Sequence, residues 1–342
     1  VESIRQPRLG KELRLSIDRR IQYLAYRELK AAMKTHKAKG ASAVVLDVKS
    51  GEVIAMVNQP SFNPNNRQDV RTSSMRNRAV TDVFEPGSTM KPFVVAAALE
   101  SGRYRPDTAI STSPGWYRVG VNTVRDVHDY GQLDVAGVIR KSSNVGISKI
   151  ALSLPQESIW ELFADLGFGA QTLSGFPGEA SGLLPHYSGW NAIETATLSF
   201  GYGMSATPLQ LAQAYAVLAS GGIKRSISFL HEKRTVEERR VMPARVAGQV
   251  RKMLEAVTGP DGTAPQARIT GYRVAGKTGT VRKSVAGGYA DDKYLAVFAG
   301  MVPASDPRLV MVVMVDEPSA GKYYGGQVAA PVFSRVMAGA LR

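Results

Sequence analysis

The chain has 342 residues, 44% of them hydrophobic and 21% charged, which at ~150 residues per domain is length for about two domains and a large buried core. That excludes a disordered chain, a collagen and a disulfide-stapled mini-protein, and the absence of cysteine removes disulfides, thiolate metal sites and cysteine nucleophiles. Lys and Arg number 43 against 29 Asp and Glu, a net charge of +14 that draws the chain to polyanions without choosing among nucleic acid, an anionic membrane face and an acidic polymer.

Residues 1–15 are polar and basic, with Pro7 and Gly10, and read as a connecting arm. Asp18 is placed to cap a helix in which Ile21, Leu24, Ala25, Leu29 and Ala32 recur at helical spacing. A hairpin follows, Ser42–Val48 and Val53–Asn58, turning at Lys49-Ser50-Gly51-Glu52. Residues 59–81 read as loop. A helix is expected from near Ser88 to Leu99, then Gly- and Pro-punctuated chain over 101–131. Short helices are expected around 134–141, 145–154 and 157–166. Thr207 and Pro208 supply the cap and first-turn proline of a helix ending at Ser220. Residues 224–241 read as a charged surface excursion, and Arg245–Val257 as a helix. Three strands are expected at Tyr272–Val281, Tyr294–Val302 and Leu309–Asp316, and a last helix at Gln327–Leu341 with Pro331 near its start. This order lacks βαβ alternation. It fits an α+β fold whose antiparallel sheet is built from both chain ends and flanked by helices. The longest apolar runs, Phe93–Leu99 and Leu309–Val315, are far short of the about 20 residues of a membrane span, and no cleavable signal peptide is recognisable at the start.

Three short motifs carry chemistry. In Glu85-Pro86-Gly87-Ser88-Thr89-Met90-Lys91-Pro92, the hydroxyl and the amine are three residues apart. On a helix they share a face, and the positive end of the helix dipole favours an alkoxide while disfavouring an ammonium. Lys141-Ser142-Ser143-Asn144 lies between two short helices, where it supplies either caps or a hydroxyl and a carboxamide aimed into one cleft. Gly276-Lys277-Thr278-Gly279-Thr280 sits in a strand-like stretch, where glycine admits close approach of a ligand or another backbone. Residues 271–278 also match the phosphate-loop pattern G-x-x-x-x-G-K-[ST], with Asp316 and Glu317 after a later apolar strand. That reading fails on context, because a phosphate loop must join a buried strand to a helix and residues 279–289 have no helical period. No G-x-S-x-G or H-E-x-x-H occurs, and His36, His128, His186 and His231 are scattered.

Ser-x-x-Lys, Ser-x-Asn and Lys-Thr-Gly in this order are the set shared by penicillin-binding proteins and class A β-lactamases. The chain resembles the class B penicillin-binding proteins more widely. The resemblance takes in Arg76-Asn77-Arg78-Ala79 running into Phe84-Glu85-Pro86-Gly87-Ser88, Lys141 to Gly146, Phe200-Gly201-Tyr202-Gly203 with Thr207-Pro208-Leu209-Gln210-Leu211-Ala212, and Gly321-Lys322-Tyr323-Tyr324-Gly325-Gly326. It covers residues from about 16 to 342 and is greatest toward the division-specific transpeptidases of Gram-negative bacteria.

The resemblance implies a transpeptidase domain over 16–342 with an all-helical subregion, 1–15 being the exit from an N-terminal pedestal. It implies an enzyme of the periplasmic face of the inner membrane, anchored by an N-terminal helix outside this chain, that cross-links peptidoglycan at the septum. In that chemistry Ser88 attacks the D-Ala-D-Ala carbonyl, Lys91 is the base, and Lys277 keeps Lys91 partly neutral by like-charge repulsion. Ser142 relays a proton to the leaving amine, and Asn144 holds Lys91 and a substrate amide. The backbone amides of Ser88 and Thr280 form the oxyanion hole. Lys277, Thr278, Gly279 and Thr280 bind substrate, the terminal carboxylate falling to Lys277, Thr278 and Thr280. Tyr323 and Tyr324, directly after the last strand and before Gly325-Gly326, either border the cleft or are core tyrosines at a strand end, and Gly325 is counted with the substrate-binding residues. The expected partners are stem peptides as donor and acceptor, β-lactams, and divisome membrane proteins; no metal, cofactor or nucleic acid is expected. No Glu-x-x-x-Asn of the class A deacylating type lies between the second and third motifs, so acyl-enzymes should persist. Carboxypeptidase activity, or a non-catalytic β-lactam sensor of the same fold, are the alternatives.

Overall fold

The structure is a computed structural model, and it describes residues 9–66, 72–231, 236–285 and 287–342. Helix α1 (Arg19–His36) starts on Asp18, whose carboxylate accepts the Arg20 and Ile21 amides, and ends at Lys37 in the left-handed region. Its apolar face, Ile21, Ala25, Leu29 and Ala32, is buried. The hairpin is β1 (Gly40–Asp47) and β2 (Val53–Gln59). Three C-terminal strands complete the sheet: β3 (Ala275–Val285), β4 (Gly288–Val302) and β5 (Leu309–Asp316). The order across the sheet is β2-β1-β5-β4-β3, with every neighbouring pair antiparallel. The first hairpin therefore pairs with the last strand, Gly40 opposite Asp316 and Asp47 opposite Leu309. Strand β3 is left as an edge.

One face of the sheet carries α1 and the C-terminal helix α8 (Ala330–Ala340). The other carries α6 (Pro208–Ala219) and α7 (Ala244–Val257). Helix α6 is buried along almost its whole length, and its Thr207 and Gln210 exchange bonds in a capping box. Beyond it lies a mainly helical region with α2 (Lys91–Glu100), α3 (Val135–Lys141), α4 (Asn144–Leu152) and α5 (Gln156–Leu166). Helix α2 is apolar on all sides, which is the pattern of a helix enclosed by others.

The structure departs from the expected elements at several points. Residues 59–81 contain two one-turn helices, Thr72–Met75 and Arg78–Thr81, while 67–71 lie outside the described residues. Residues 101–131 carry short strands, Ala109–Ser111 and the pair Trp116–Val119 with Asn122–Arg125. The excursion over 224–241 pairs Ile223–Arg225 with Glu238–Arg240. Strand β4 begins at Gly288, not Tyr294, so the β3–β4 hairpin projects past the sheet. The last helix is split: a turn at Gly325–Val328, then α8 with Pro331 in its first turn, where a missing N–H costs nothing. Of the N-terminal arm, residues 1–8 lie outside the described residues; Leu15 bridges to Leu230, and the Arg14 carbonyl accepts the His231 amide at 2.9 Å.

Candidate active site

Ser88 stands on a 3-10 turn, Gly87–Met90, that runs directly into α2. The α-helix expected to hold both Ser88 and Lys91 begins only at Lys91. In a 3-10 turn residues i and i+3 eclipse, so the two side chains still share a side. Two glycines make the turn possible. Gly87 has φ +59°, and a Cβ there would lie 2.4 Å from Val281 Cγ2 on β3. Its amide donates to the Gly201 carbonyl at 3.1 Å, and a Cβ on Gly201 would lie 2.2 Å from the Gly87 carbonyl oxygen. Below the turn, the Tyr215 hydroxyl from α6 donates to the Thr89 carbonyl at 2.9 Å. The nucleophile turn is thus fixed to the central helix, to β3 and to the 200–203 loop.

Ser142 closes α3 in the left-handed conformation, φ +60°. Ser143 caps α4, and Asn144 is the first residue of that helix, not part of a loop. Capping and function coexist here because they use different side chains. Ser143 Oγ accepts the Gly146 amide at 2.8 Å, while Asn144 Oδ1 accepts Lys91 Nζ at 2.7 Å.

Lys91 and Lys277 are both fully buried. Lys91 Nζ donates to the Ser142 carbonyl, to Asn144 Oδ1 and to Ser142 Oγ at 3.2 Å. Lys277 Nζ donates to the same Ser142 Oγ at 2.8 Å and to the Thr278 carbonyl at 3.2 Å. Burial drives the Lys91 amine well below the usual lysine range, the nearby Lys277 charge lowers it further, and Asp126 opposes both. Burial also lowers Lys277, to about 7. Removal from water is the larger cause for Lys91, and the expected repulsion from the second cation adds to it.

Strand β3 supplies the opposite wall. Arg282 donates its amide to the Tyr202 hydroxyl at 3.4 Å, so that N–H points off the free edge of the sheet. The β3–β4 register is unbroken from Arg282 to Ala275. Backbone groups alternate along a strand, so the Thr280 amide points off the same edge, toward the turn that bears Ser88.

A cavity of about 700 Å³ lies between these elements, and its lining includes Ser88, Ser142, Asn144, Thr278, Thr280, Tyr323 and Tyr324. Tyr323 stacks on Tyr294 at 4.3 Å and on Tyr324 at 4.5 Å, and Tyr324 is 46% exposed. Three residues expected to meet substrate are not among those lining the cavity. Lys277 is fully buried, with Nζ bonded to Ser142 and to Thr278, both of which line the cavity. Gly279 faces inward, where a Cβ would lie 3.1 Å from the Pro86 carbonyl oxygen and 3.2 Å from Thr89. Gly325 packs behind β3, 2.4 Å from the Gly279 oxygen were a Cβ present, and its amide donates to Thr280 Oγ1 at 3.0 Å. Both glycines permit backbone contact and neither lines the cavity. The lysine of the phosphate-loop pattern is in mid-strand, which removes that reading.

Asp126 was missed by sequence reasoning. It follows the strand Asn122–Arg125, and its carboxylate accepts Ser143 Oγ and the Asn144 and Val145 amides. The Arg125 carbonyl accepts Asn144 Nδ2 at 3.1 Å. Asx capping across 17 residues leaves no local signature, so only the fold could reveal it. Val127, His128 and Tyr130 from the same segment also line the cavity.

Two desolvated lysines on one hydroxyl, beside a cavity that Ser88 lines next to an edge strand, define a serine acyl-transfer site. Residues 41–338 match the penicillin binding protein transpeptidase domain. The chain belongs to that family. It is 46% identical over 335 residues to the probable peptidoglycan D,D-transpeptidase PenA of Neisseria flavescens, covering 98% of this chain and 83% of that protein. It is 48% identical over 330 residues to the peptidoglycan D,D-transpeptidase FtsI of Escherichia coli strain K12, covering 96% of this chain and 56% of that protein. The chain thus spans little more than half the length of that FtsI. The structure superimposes on the apo transpeptidase domain of Burkholderia pseudomallei penicillin-binding protein 3 with a TM-score of 0.89, at 43% identity and with 96% of each chain covered.

Proposed function

We propose that this domain cross-links peptidoglycan stem peptides during septal wall synthesis through an acyl-enzyme on Ser88, and that β-lactams acylate the same oxygen. The observation that carries the reading is the convergence of Lys91 and Lys277 on Ser142 Oγ beside the cavity that Ser88 lines. A buried lysine whose basicity is lowered can be neutral near pH 7 and accept a proton.

In the first step Ser88 Oγ bonds to the penultimate D-Ala carbonyl carbon and its proton passes to neutral Lys91. The oxyanion lies between the Ser88 and Thr280 amides, worth ~3 kcal/mol per donor. The C–N bond then breaks, and the departing D-Ala amine takes a proton through Ser142, resupplied by the lysine pair. Its carboxylate is held by the Thr278 and Thr280 hydroxyls, with the Lys277 charge behind them. An acceptor amine reverses these proton transfers and releases the cross-linked product.

The site of action is the periplasmic face of the inner membrane, where the polymer is, with an N-terminal anchor and divisome membrane proteins as partners. Residues 16–342 act as the catalytic domain and 1–15 as its link.

The test is labelling by a fluorescent penicillin, followed by mass spectrometry. One long-lived adduct is expected on the peptide containing Ser88, and none on Ser88→Ala. An adduct elsewhere overturns the assignment. Incubation with a D-Ala-D-Ala stem peptide and an amine acceptor should then give the cross-linked product. Release of D-Ala with hydrolysis alone indicates a carboxypeptidase, and no turnover with stable acylation indicates a sensor.

A further inference from the structure

Glu85 precedes the nucleophile by three residues and takes no part in the proton transfers above. Both of its hydrogen bonds end on one oxygen: Oε1 accepts the Gly203 amide at 2.8 Å and the Tyr289 hydroxyl at 3.0 Å. Tyr289 belongs to the projecting part of the β3–β4 hairpin, where the register slips between Tyr289 and Tyr294. That stretch is largely exposed and has little apolar burial to hold it. The edge of the Tyr289 ring packs on Tyr202 with centroids 5.3 Å apart. Tyr202 in turn receives the Arg282 amide, and both Tyr202 and Arg282 line the cavity. The chain of contacts therefore runs from the nucleophile segment through Glu85, Tyr289 and Tyr202 to the outer end of the cleft. Burial, the Glu85 charge and the hydrogen bond to Glu85 hold the Tyr289 hydroxyl protonated, so it is the donor.

We propose that the bond from Tyr289 to Glu85 is a latch that ties the outer β3–β4 hairpin to the segment bearing Ser88 and so shapes the Tyr202–Arg282 end of the cleft for the acyl donor. This rests on the transpeptidase reading. With the leaving D-Ala carboxylate at Thr278 and the reacting carbonyl at Thr280, the acyl portion of the donor runs along β3 toward Arg282. Glu85 and Tyr289 are positioning residues: they hold the wall that meets the donor's side chain and touch no reacting atom. Loss of the latch thus weakens the noncovalent encounter and leaves the bond-making step unchanged.

The experiment compares wild type, Tyr289→Phe, Glu85→Gln and Glu85→Ala in acylation by a fluorescent penicillin, with the binding constant separated from the rate at saturation. Hydrogen exchange of residues 287–294 is measured on the same proteins without drug. Tyr289→Phe keeps the ring and removes only the hydroxyl. It should raise the dissociation constant of the noncovalent complex about 3- to 10-fold, as expected for one lost hydrogen bond, with the saturating rate unchanged and faster exchange in the hairpin. Glu85→Gln keeps an acceptor oxygen and should behave as wild type, whereas Glu85→Ala, which also removes the acceptor of the Gly203 amide, should be impaired at least as much as Tyr289→Phe. Unchanged binding and exchange in Tyr289→Phe overturns the latch. So does a fall confined to the saturating rate, or a Glu85→Gln defect as large as that of Glu85→Ala. If wild type is not acylated at all, the transpeptidase reading fails, while the exchange arm still reports whether the hairpin is tied.

Discussion

Lys91 and Lys277 meet on a single oxygen: Ser142 Oγ lies 3.2 Å from one amine and 2.8 Å from the other. A hydroxyl has one proton and two lone pairs, so it can accept from both amines only while neither takes its proton. Once one lysine is neutral, the hydroxyl can donate to it and a proton can cross between them. The pair therefore titrates as a unit, with apparent values that belong to both groups. With Lys91 pushed well down and Lys277 brought to about 7, acylation should rise with pH as Lys91 becomes neutral and then fall through the neutral range as Lys277 loses the charge that stands behind the substrate carboxylate. Stopped-flow acylation rates from pH 5 to 9 check this; a flat profile from 6 to 8 contradicts it. Ser142→Ala should slow acylation by ~10²–10⁴-fold, the range for losing a proton-transfer group.

The same lysines make stability depend on pH. Folding lowers Lys277 from 10.5 to about 7, so between those values the unfolded chain binds a proton that the folded chain does not. Stability then rises with pH across that window, by at most ~1.4 kcal/mol per pH unit for one group, and the full burial penalty remains below it. Lys277→Met should reduce this slope without abolishing it, because Lys91 stays. It should also abolish most acylation while the melting temperature at pH 7 holds or rises. Urea unfolding at pH 7.5 and 9.5 measures the slope, and a slope equal to wild type would count against a depressed Lys277.

Asp126 organises Ser143, Asn144 and Val145 through three accepted bonds. Asp126→Ala leaves those donors without their acceptor and should cost about 1–3 kcal/mol. Asn144 would then hold Lys91 less firmly, so acylation should fall more than tenfold. Chemical denaturation and penicillin labelling on one preparation separate the two effects. Wild-type acylation in a destabilised variant would limit Asp126 to a structural role.

Gly201→Ala should be among the most damaging single changes in the chain. The residue has φ +80°, and its Cβ would lie 2.2 Å from the Gly87 oxygen and 2.4 Å from the Gly87 nitrogen. Both neighbours are backbone, so the turn bearing Ser88 must shift. The expected outcome is loss of acylation by at least 10²-fold, in line with the sensitivity of catalysis to misplacements of about 1 Å. Soluble Gly201→Ala protein with normal labelling would show that the turn can move freely.

Local chemistry in the sequence determined a large part of this protein. The Asp18 cap, the Thr207-Pro208 helix start, the hairpin around Gly51 and the apolar strand Leu309–Asp316 are settled by neighbours a few residues apart, and they appear where expected. The three motifs could be found for the same reason, since each is a short run of residue types. Tertiary structure alone decided how they meet. Lys277 Nζ and Ser142 Oγ are 135 residues apart in sequence, and their contact exists because β3 forms the edge of a sheet assembled from both chain ends. It also packed Gly279 and Gly325 against backbone, stood Ser88 on a 3-10 turn, and brought Asp126 to Ser143 and Asn144. Burial is a property of the assembled core, so the lowered basicity of both lysines, on which the chemistry depends, cannot be read from residue types in order along the chain.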